Sequence, residues 1–233
     1  MRPVFLLLDA DVTFQLFIGK VAKAVLDPLR KSYGLRAIVV PEVEIELRSH
    51  RRLGATIGPL FVKACGSGLI KILDADNYSD LLGLVASTTS HASIQSLGRQ
   101  YNYRVDRGEA YTHATGVSLS QPVASNDMNA VRTLRIAGEE LPRPVLRTFD
   151  LIVFANQIGA LSDADCDDLR KSLNDAGEGL PQAWEHASYI DGLSTFVPRL
   201  IDPHLVPRAT GTLSRQPPPF AEALALSPIA SND

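Results

Sequence analysis

Five consecutive apolar residues, Val4 to Leu8 (VFLLL), stop abruptly at Asp9. An apolar run of this length without alternation suits a strand buried on both faces, as in the middle of a parallel sheet. Ala37 to Val40 and the LIKIL segment, Leu69 to Leu73, read as second and third strands, and Pro122 to Ser125 as a fourth. Between them apolar residues recur at helical spacing. The alternation predicts an α/β fold, an open parallel β-sheet sandwiched by helices.

The helices are expected at Thr13 to Val25, from the Asp27-Pro28 cap to Tyr33-Gly34, from Pro41 onward, and at Ile57 to Ala64. A long one is expected from Asp80 to Gln100, then others from Arg107 to about Ser118 and from Met128 to Ala137. From Val145 the pattern is helical: Leu151, Phe154, Ala155 and Ile158 mark one helix, another begins at Ser162, and one more is expected around Trp184 to Phe196. This divides the 233 residues into a main domain over 1–175, a C-terminal helical extension over 176–200 and a Pro-rich, flexible tail over 201–233.

Hydrophobic residues at 45% and charged residues at 21% describe an ordinary globular chain. No stretch reaches the length of a membrane span, and the short N-terminal apolar run ends in acids, unlike a signal peptide, so a cytoplasmic location is expected. The net charge of −3 excludes a nucleic-acid coat that works by overall charge; any such contact needs a local basic patch. Cys65 and Cys166 stand far apart with no CxxC pair, which supports neither zinc nor a disulfide framework.

Acids fall at positions where a parallel sheet gathers its functional groups. Asp9 ends the first strand, and ligands of open α/β sheets collect at the carboxyl ends of strands. Asp127 follows the fourth strand beside Asn126. Asp106 and Glu109 have the spacing of a capping box at a helix start. Glu42, Glu44 and Glu46 follow Pro41 on one helix; Glu46 adjoins the Val43/Leu47 stripe, and Glu42 is its alternative one turn earlier. Asp9, Asp127 and the Asp106/Glu109 pair are each explained alone by helix capping, which is also the reading for Asp11. Together they repel one another and raise each other's pKa, so the set is explained by a bound cation. Oxygen ligands with no Cys or His among them point to Mg2+ or Mn2+.

The strand ending in Asp9, the VPEVEIEL segment, the DRGEA helix start and the VASND segment, in that order, resemble a PIN domain. The likeness is to the bacterial subgroup with a GEA-type third motif, and RTFDLIVFANQIGALS resembles that subgroup's helix after the last sheet strand. The resemblance implies a PIN-like fold and a metal-dependent endoribonuclease whose catalytic and metal-binding acids are Asp9, Glu46, Glu109 and Asp127. It also implies an RNA substrate, the toxin role of a toxin–antitoxin pair with an antitoxin partner, and a homodimer. Where the family often carries Thr-Asn after the first Asp, this chain has Ala10-Asp11, which places Asp11 beside the metal ligands; Asp106 and Asn126 are supporting positions.

Arg48, Arg51 and Arg107 are the candidates for holding a phosphate backbone, with a solvated helix end as the plain alternative for the first two. His50, His91 and His113 show no nucleophile-base spacing and are expected in surface or core roles. The LLLDADVT opening also resembles the DxD motif of haloacid-dehalogenase-type phosphatases, with Asp9 as nucleophile and Asp11 as acid/base. That chemistry needs a later lysine, and none occurs between Lys71 and Lys171. A PIN-like protein without catalysis, serving as an RNA-binding scaffold, is the remaining alternative.

Overall fold

The first strand, β1 (Phe5–Leu8), is buried along its whole length and occupies the centre of a five-stranded sheet. In this computed structural model residues 4–50, 54–74, 76, 78–85, 89–138, 145–180 and 182–191 are described. Helices α1 (Ala10–Ile18) and α2 (Ala22–Tyr33) lead to β2 (Arg36–Val39), and α3 (Pro41–Ser49) and α4 (Gly54–Gly66) to β3 (Ile70–Ile72). Helices α5 (Tyr78–Val85), α6 (His91–Tyr101) and α7 (Arg107–Leu119) carry the chain back across the sheet to β4 (Val123–Ala124). There follow α8 (Met128–Ile136), β5 (Val145–Leu146), α9 (Thr148–Gln157), α10 (Asp163–Ala176) and α11 (Gln182–Glu185).

The strand order is β3-β2-β1-β4-β5 and every pairing is parallel. The α/β expectation holds at this level. After β1 the chain builds outward on one side, through β2 and β3, and then restarts on the other side with β4. The strand order therefore reverses between β1 and β4, the place where open α/β sheets form a crevice beyond their carboxyl ends.

Leu6 and Leu8 of β1 face one core with Ala37, Val39, Ala124 and Leu146, covered by apolar residues of α1, α2, α4, α9 and α10. Phe5 and Leu7 face the other, with Ile38 and Val123 under Tyr78, Leu81, Ile94 and Leu119. Burial on both sides is why β1 shows no polar alternation. Trp184 and Tyr189 pack against Phe149 in the larger core, with ring centroids 4.9 and 6.2 Å from it. Among the described residues no helix is long and apolar enough to cross a membrane.

Several elements differ from the sequence expectation. The helix expected over Thr13 to Val25 is two, broken at Gly19-Lys20, where Lys20 takes a left-handed backbone (φ 58°) and Leu169 of α10 packs where a side chain on Gly19 would stand. Pro28 lies inside α2 instead of opening a helix; it removes one backbone donor without ending the helix. Asp27 is accordingly no cap, and accepts from Arg30 and Lys31 at 3.0 and 3.1 Å. The long helix expected over Asp80 to Gln100 is α5 and α6, the second started by a Ser90 cap. Val145-Leu146 is a fifth strand, not the beginning of a helix. The Pro-rich tail, residues 192–200 of the extension and Arg51 lie outside the described residues.

Candidate active site at the carboxyl edge of the sheet

Four segments converge where the strand order reverses. β1 ends at Asp9, which starts α1, and β4 ends at Ser125, which precedes Asn126 and Asp127 at the start of α8. α3 leaves β2 at this edge with Glu42 and Glu46. α7 must descend into β4, so its N-terminus, with Asp106 and Glu109, also stands here.

Asp9 is only 2% exposed, and its Oδ1 accepts from the Ala10 N–H at 2.8 Å. The Ser125 hydroxyl hydrogen-bonds the same carboxyl and also accepts the Asp127 N–H at 3.2 Å, which ties the two strand ends together. Asp11 Oδ1 takes its neighbour's N–H, that of Val12, at 2.6 Å, and Oδ2 takes the Asn126 N–H at 3.0 Å. Asn126 then spends its amide on Gln15, at 3.1 Å, and on Thr148, at 3.0 Å, locking α1 to α9. Asp11 is thus a bridge from β1 to β4 and not merely a cap.

Burial and mutual repulsion push these carboxyls upward. Asp9 is raised to about 8, first by desolvation and then by Asp11, with Glu46 a smaller contributor, against lowering by its Ala10 and Ser125 hydrogen bonds. Glu109 is raised to about 9, by desolvation and then by Asp9, Asp127, Asp11 and Asp106 in that order. Asp11 rises to about 6 for the same reasons, tempered by its two backbone hydrogen bonds. Glu46 is exposed along its side chain, yet its carboxyl is also raised, by local desolvation and Asp106, with His50 pulling the other way. Glu109 thus lies within the field of four other acids.

Gly108 explains how Glu46 comes so near. A Cβ on Gly108 would stand 2.7 Å from Glu46 Oε2 and 3.7 Å from Asp9 Oδ1, so the bare glycine leaves the space between these two carboxylates. Within DRGEA the glycine carries no local signal of this role. Ser125 was missed altogether, and its only sequence signal is its place after a short buried strand.

The capping box expected of Asp106 and Glu109 does not form: Asp106 occupies the N-cap position, but its side chain makes no cap hydrogen bond. Glu109 is left to face the other acids. Asp127 does cap α8, accepting from Asn129 and Ala130 at 2.7 and 3.0 Å, and it is exposed. Glu42, the alternative to Glu46, is buried and paired with Arg107 at 3.7 Å, so Glu46 is the one beside Asp9. Arg107 also lies over the Tyr111 ring at 5.8 Å, and Arg48 pairs with Glu44 at 2.7 Å. A separate cleft of about 640 Å³, lined by Lys20, Lys23, Arg30 and Lys63, shares no residue with these acids.

His113 sits one turn beyond Glu109, fully buried, with both ring nitrogens lacking a hydrogen-bond partner among the described residues. Burial lowers it to about 4 despite the pull of Asp127, so it is neutral near pH 7 and offers the acids no countercharge. His50 packs edge-on against Phe14, at 4.7 Å, and His91 beside Tyr78, at 5.0 Å. All three fill core or surface roles.

Among the described residues no three acid, imidazole or thiol groups close on a common point as a metal site would. The donor set nevertheless fits a hard divalent cation: carboxylate oxygens only, partly desolvated and mutually repelling, two of which, from Glu46 and Asp9, face the space kept free by Gly108. The chain matches no protein-family model and no curated protein.

Proposed function

We propose that this chain is a divalent-metal-dependent nuclease that hydrolyses RNA phosphodiester bonds, as its PIN-like motifs imply. The observation that carries the reading is the gathering of Asp9, Asp11, Glu46, Asp106, Glu109 and Asp127 in one electrostatic field at the strand-order reversal. Asp9, Asp11, Glu46 and Glu109 hold their protons against the usual carboxylate tendency, and a cation or a proton relieves such a set.

Asp9, Glu46, Glu109 and Asp127 would hold Mg2+ or Mn2+, and Asp11 would supplement them. The cation would supply an activated water and offset charge on the phosphate and leaving oxygen. The chain's own groups fix the geometry: Ser125 orients Asp9, the Asn126 N–H orients Asp11, and Gly108 leaves Glu46 its room. Arg107 flanks the acids from the first turn of α7 and would meet the RNA backbone beyond its pair with Glu42. A toxin role with an antitoxin partner, and a homodimer, rest on the motif resemblance alone.

The test is incubation of a defined set of single-stranded RNAs with wild-type protein and with Asp9→Asn, in Mg2+ and in Mn2+. Cleavage that requires the ion and is lost in Asp9→Asn supports the proposal. Equal cleavage by both proteins, or none in either ion, removes it. Phosphate release from a small phosphomonoester, lost in Asp9→Asn, would instead favour the phosphatase reading.

A further inference from the structure

Just before the DRGEA helix start the chain turns from α6 into α7 over residues 102–105. Tyr103, in this turn, is 90% exposed, the most open large hydrophobic side chain among the described residues. The turn beneath it is firmly held. Tyr101 is buried, and its carbonyl accepts the Arg104 and Val105 N–H groups at 2.8 and 3.2 Å. The Asn102 N–H closes α6 on the Gly98 carbonyl at 2.9 Å. Gly98 lets α7 come close, since a Cβ there would stand 2.6 Å from the Tyr111 ring. Arginines accompany the exposed ring: Arg99 one helical turn earlier, Arg104 beside it, and Arg107 at the start of α7, all exposed. Arg99 and Arg104 make no ion pair with a described residue. Asp106 follows Tyr103 by three residues, so at most about 11 Å of chain separates the ring's backbone from the first of the acids.

We infer that the α6–α7 turn is a binding ridge for single-stranded RNA, in which Tyr103 stacks on an unpaired base and Arg99 and Arg104 hold the flanking phosphates. The ligand class rests on the nuclease reading: a strand whose phosphodiester lies at the acids extends past a turn this near. In a chain of net charge −3 with an acidic site, affinity for a polyanion has to come from a local group of cations such as this one. An aromatic ring stacks on a base whatever its identity, and a guanidinium meets a phosphate with two parallel donors. A duplex keeps its bases stacked inside and offers the ring none, which restricts the ridge to single strands. A protein partner fits less well, because Arg99, Asn102 and Arg104 surround Tyr103 with exposed polar groups and leave no apolar patch to bury.

Fluorescence anisotropy of a labelled, unstructured single-stranded RNA in EDTA measures binding apart from metal-dependent cleavage. Wild-type protein should bind it saturably, and the matching duplex about tenfold more weakly or worse. Tyr103→Ala should weaken single-strand binding about tenfold, whereas Tyr103→Phe, which keeps the ring, should bind as wild type does. Arg104→Gln should weaken binding and reduce the steepness of log affinity against log salt by about 0.7. Both side chains are exposed, so the melting temperature should not change in any of these variants. No saturable binding, wild-type affinity in Tyr103→Ala, a loss in Tyr103→Phe equal to that in Tyr103→Ala, an unchanged salt slope in Arg104→Gln, or equal binding of duplex would each overturn the inference. Displacement of the RNA by polyglutamate at equal charge would mark a site for acidic protein instead, and would overturn it too. RNA cleavage followed in parallel separates the two readings. Cleavage with affinity unchanged in Tyr103→Ala removes the ridge alone, and binding that depends on Tyr103 without cleavage in Mg2+ or Mn2+ removes the nuclease alone.

Discussion

Glu46 Oε2 stands 2.7 Å from the point that a Cβ on Gly108 would occupy, with Asp9 Oδ1 on the same side at 3.7 Å. A helix start would ordinarily gain from alanine over glycine, by up to about 1 kcal/mol. Here the methyl group would displace the flexible end of Glu46. Gly108→Ala should therefore fold at least as well as wild type by thermal denaturation, while RNA cleavage falls about tenfold or more. Loss of both together would mean that the glycine serves packing and not the acids.

Asp127 carries two roles that one substitution separates. Serine caps helices about as well as aspartate, so Asp127→Ser should keep the Asn129 and Ala130 amides satisfied and the stability nearly unchanged. Asp127→Ala should cost about 1 kcal/mol. Both should lose cleavage about 100-fold or more, since each removes the carboxylate. Activity retained in Asp127→Ser would reduce Asp127 to a cap.

The raised carboxyls set the pH dependence of the metal-free protein. A folded-state pKa above the unfolded value means that the fold binds protons more tightly, so stability falls as pH rises through that interval. For Asp9 the interval runs from 3.8 to about 8 and for Glu109 from 4.5 to about 9. His113 acts oppositely, because its folded value of about 4 lies below its ordinary 6.5, and its contribution is lost only as pH falls through that range. Above pH 6.5 His113 no longer opposes the acids. In EDTA the melting temperature should drop by about 5 °C or more between neutral and alkaline pH. Asp9→Asn should melt higher than wild type there and show a shallower slope. A flat wild-type profile would contradict the proton-holding acids.

Gln121 shows a purely structural counterpart. Its Oε1 accepts the Val4 and Phe5 N–H groups at 2.9 and 3.0 Å, and its Nε2 donates to the Leu119 carbonyl at 3.0 Å, standing in for a strand partner at the start of β1. Gln121→Ala should destabilise by at least about 2 kcal/mol by chemical denaturation, because it leaves buried backbone groups unpaired. Cleavage per folded molecule should not change.

What the sequence disclosed follows from the range of each interaction. VFLLLD could be read as a central strand ending in an acid because burial on both faces leaves a local mark. The five-strand parallel order was only partly legible: β5 is two residues long and makes no apolar run. Gly19 lies where Leu169 leaves no room for a side chain, and Asp11 bridges to Asn126 across 115 residues. Local spacing carries no trace of either contact. Asp106 and Glu109 had the spacing of a capping box, yet the box does not form, and the remote acids that Glu109 faces leave no mark in that spacing. Arg107 looked free for a phosphate, whereas Glu42, distant in sequence, pairs with it.

The central claim is that these carboxyls hold a divalent cation, and Mn2+ titration by calorimetry tests it most directly. Near neutral pH Asp9 and Glu109 retain protons that a bound cation must displace. Wild-type protein should bind Mn2+ saturably, with heats that differ between buffers of unlike ionisation enthalpy because protons are released. Asp9→Asn should bind about tenfold more weakly or worse. No saturable binding by wild type, or binding unchanged in Asp9→Asn, would contradict the account.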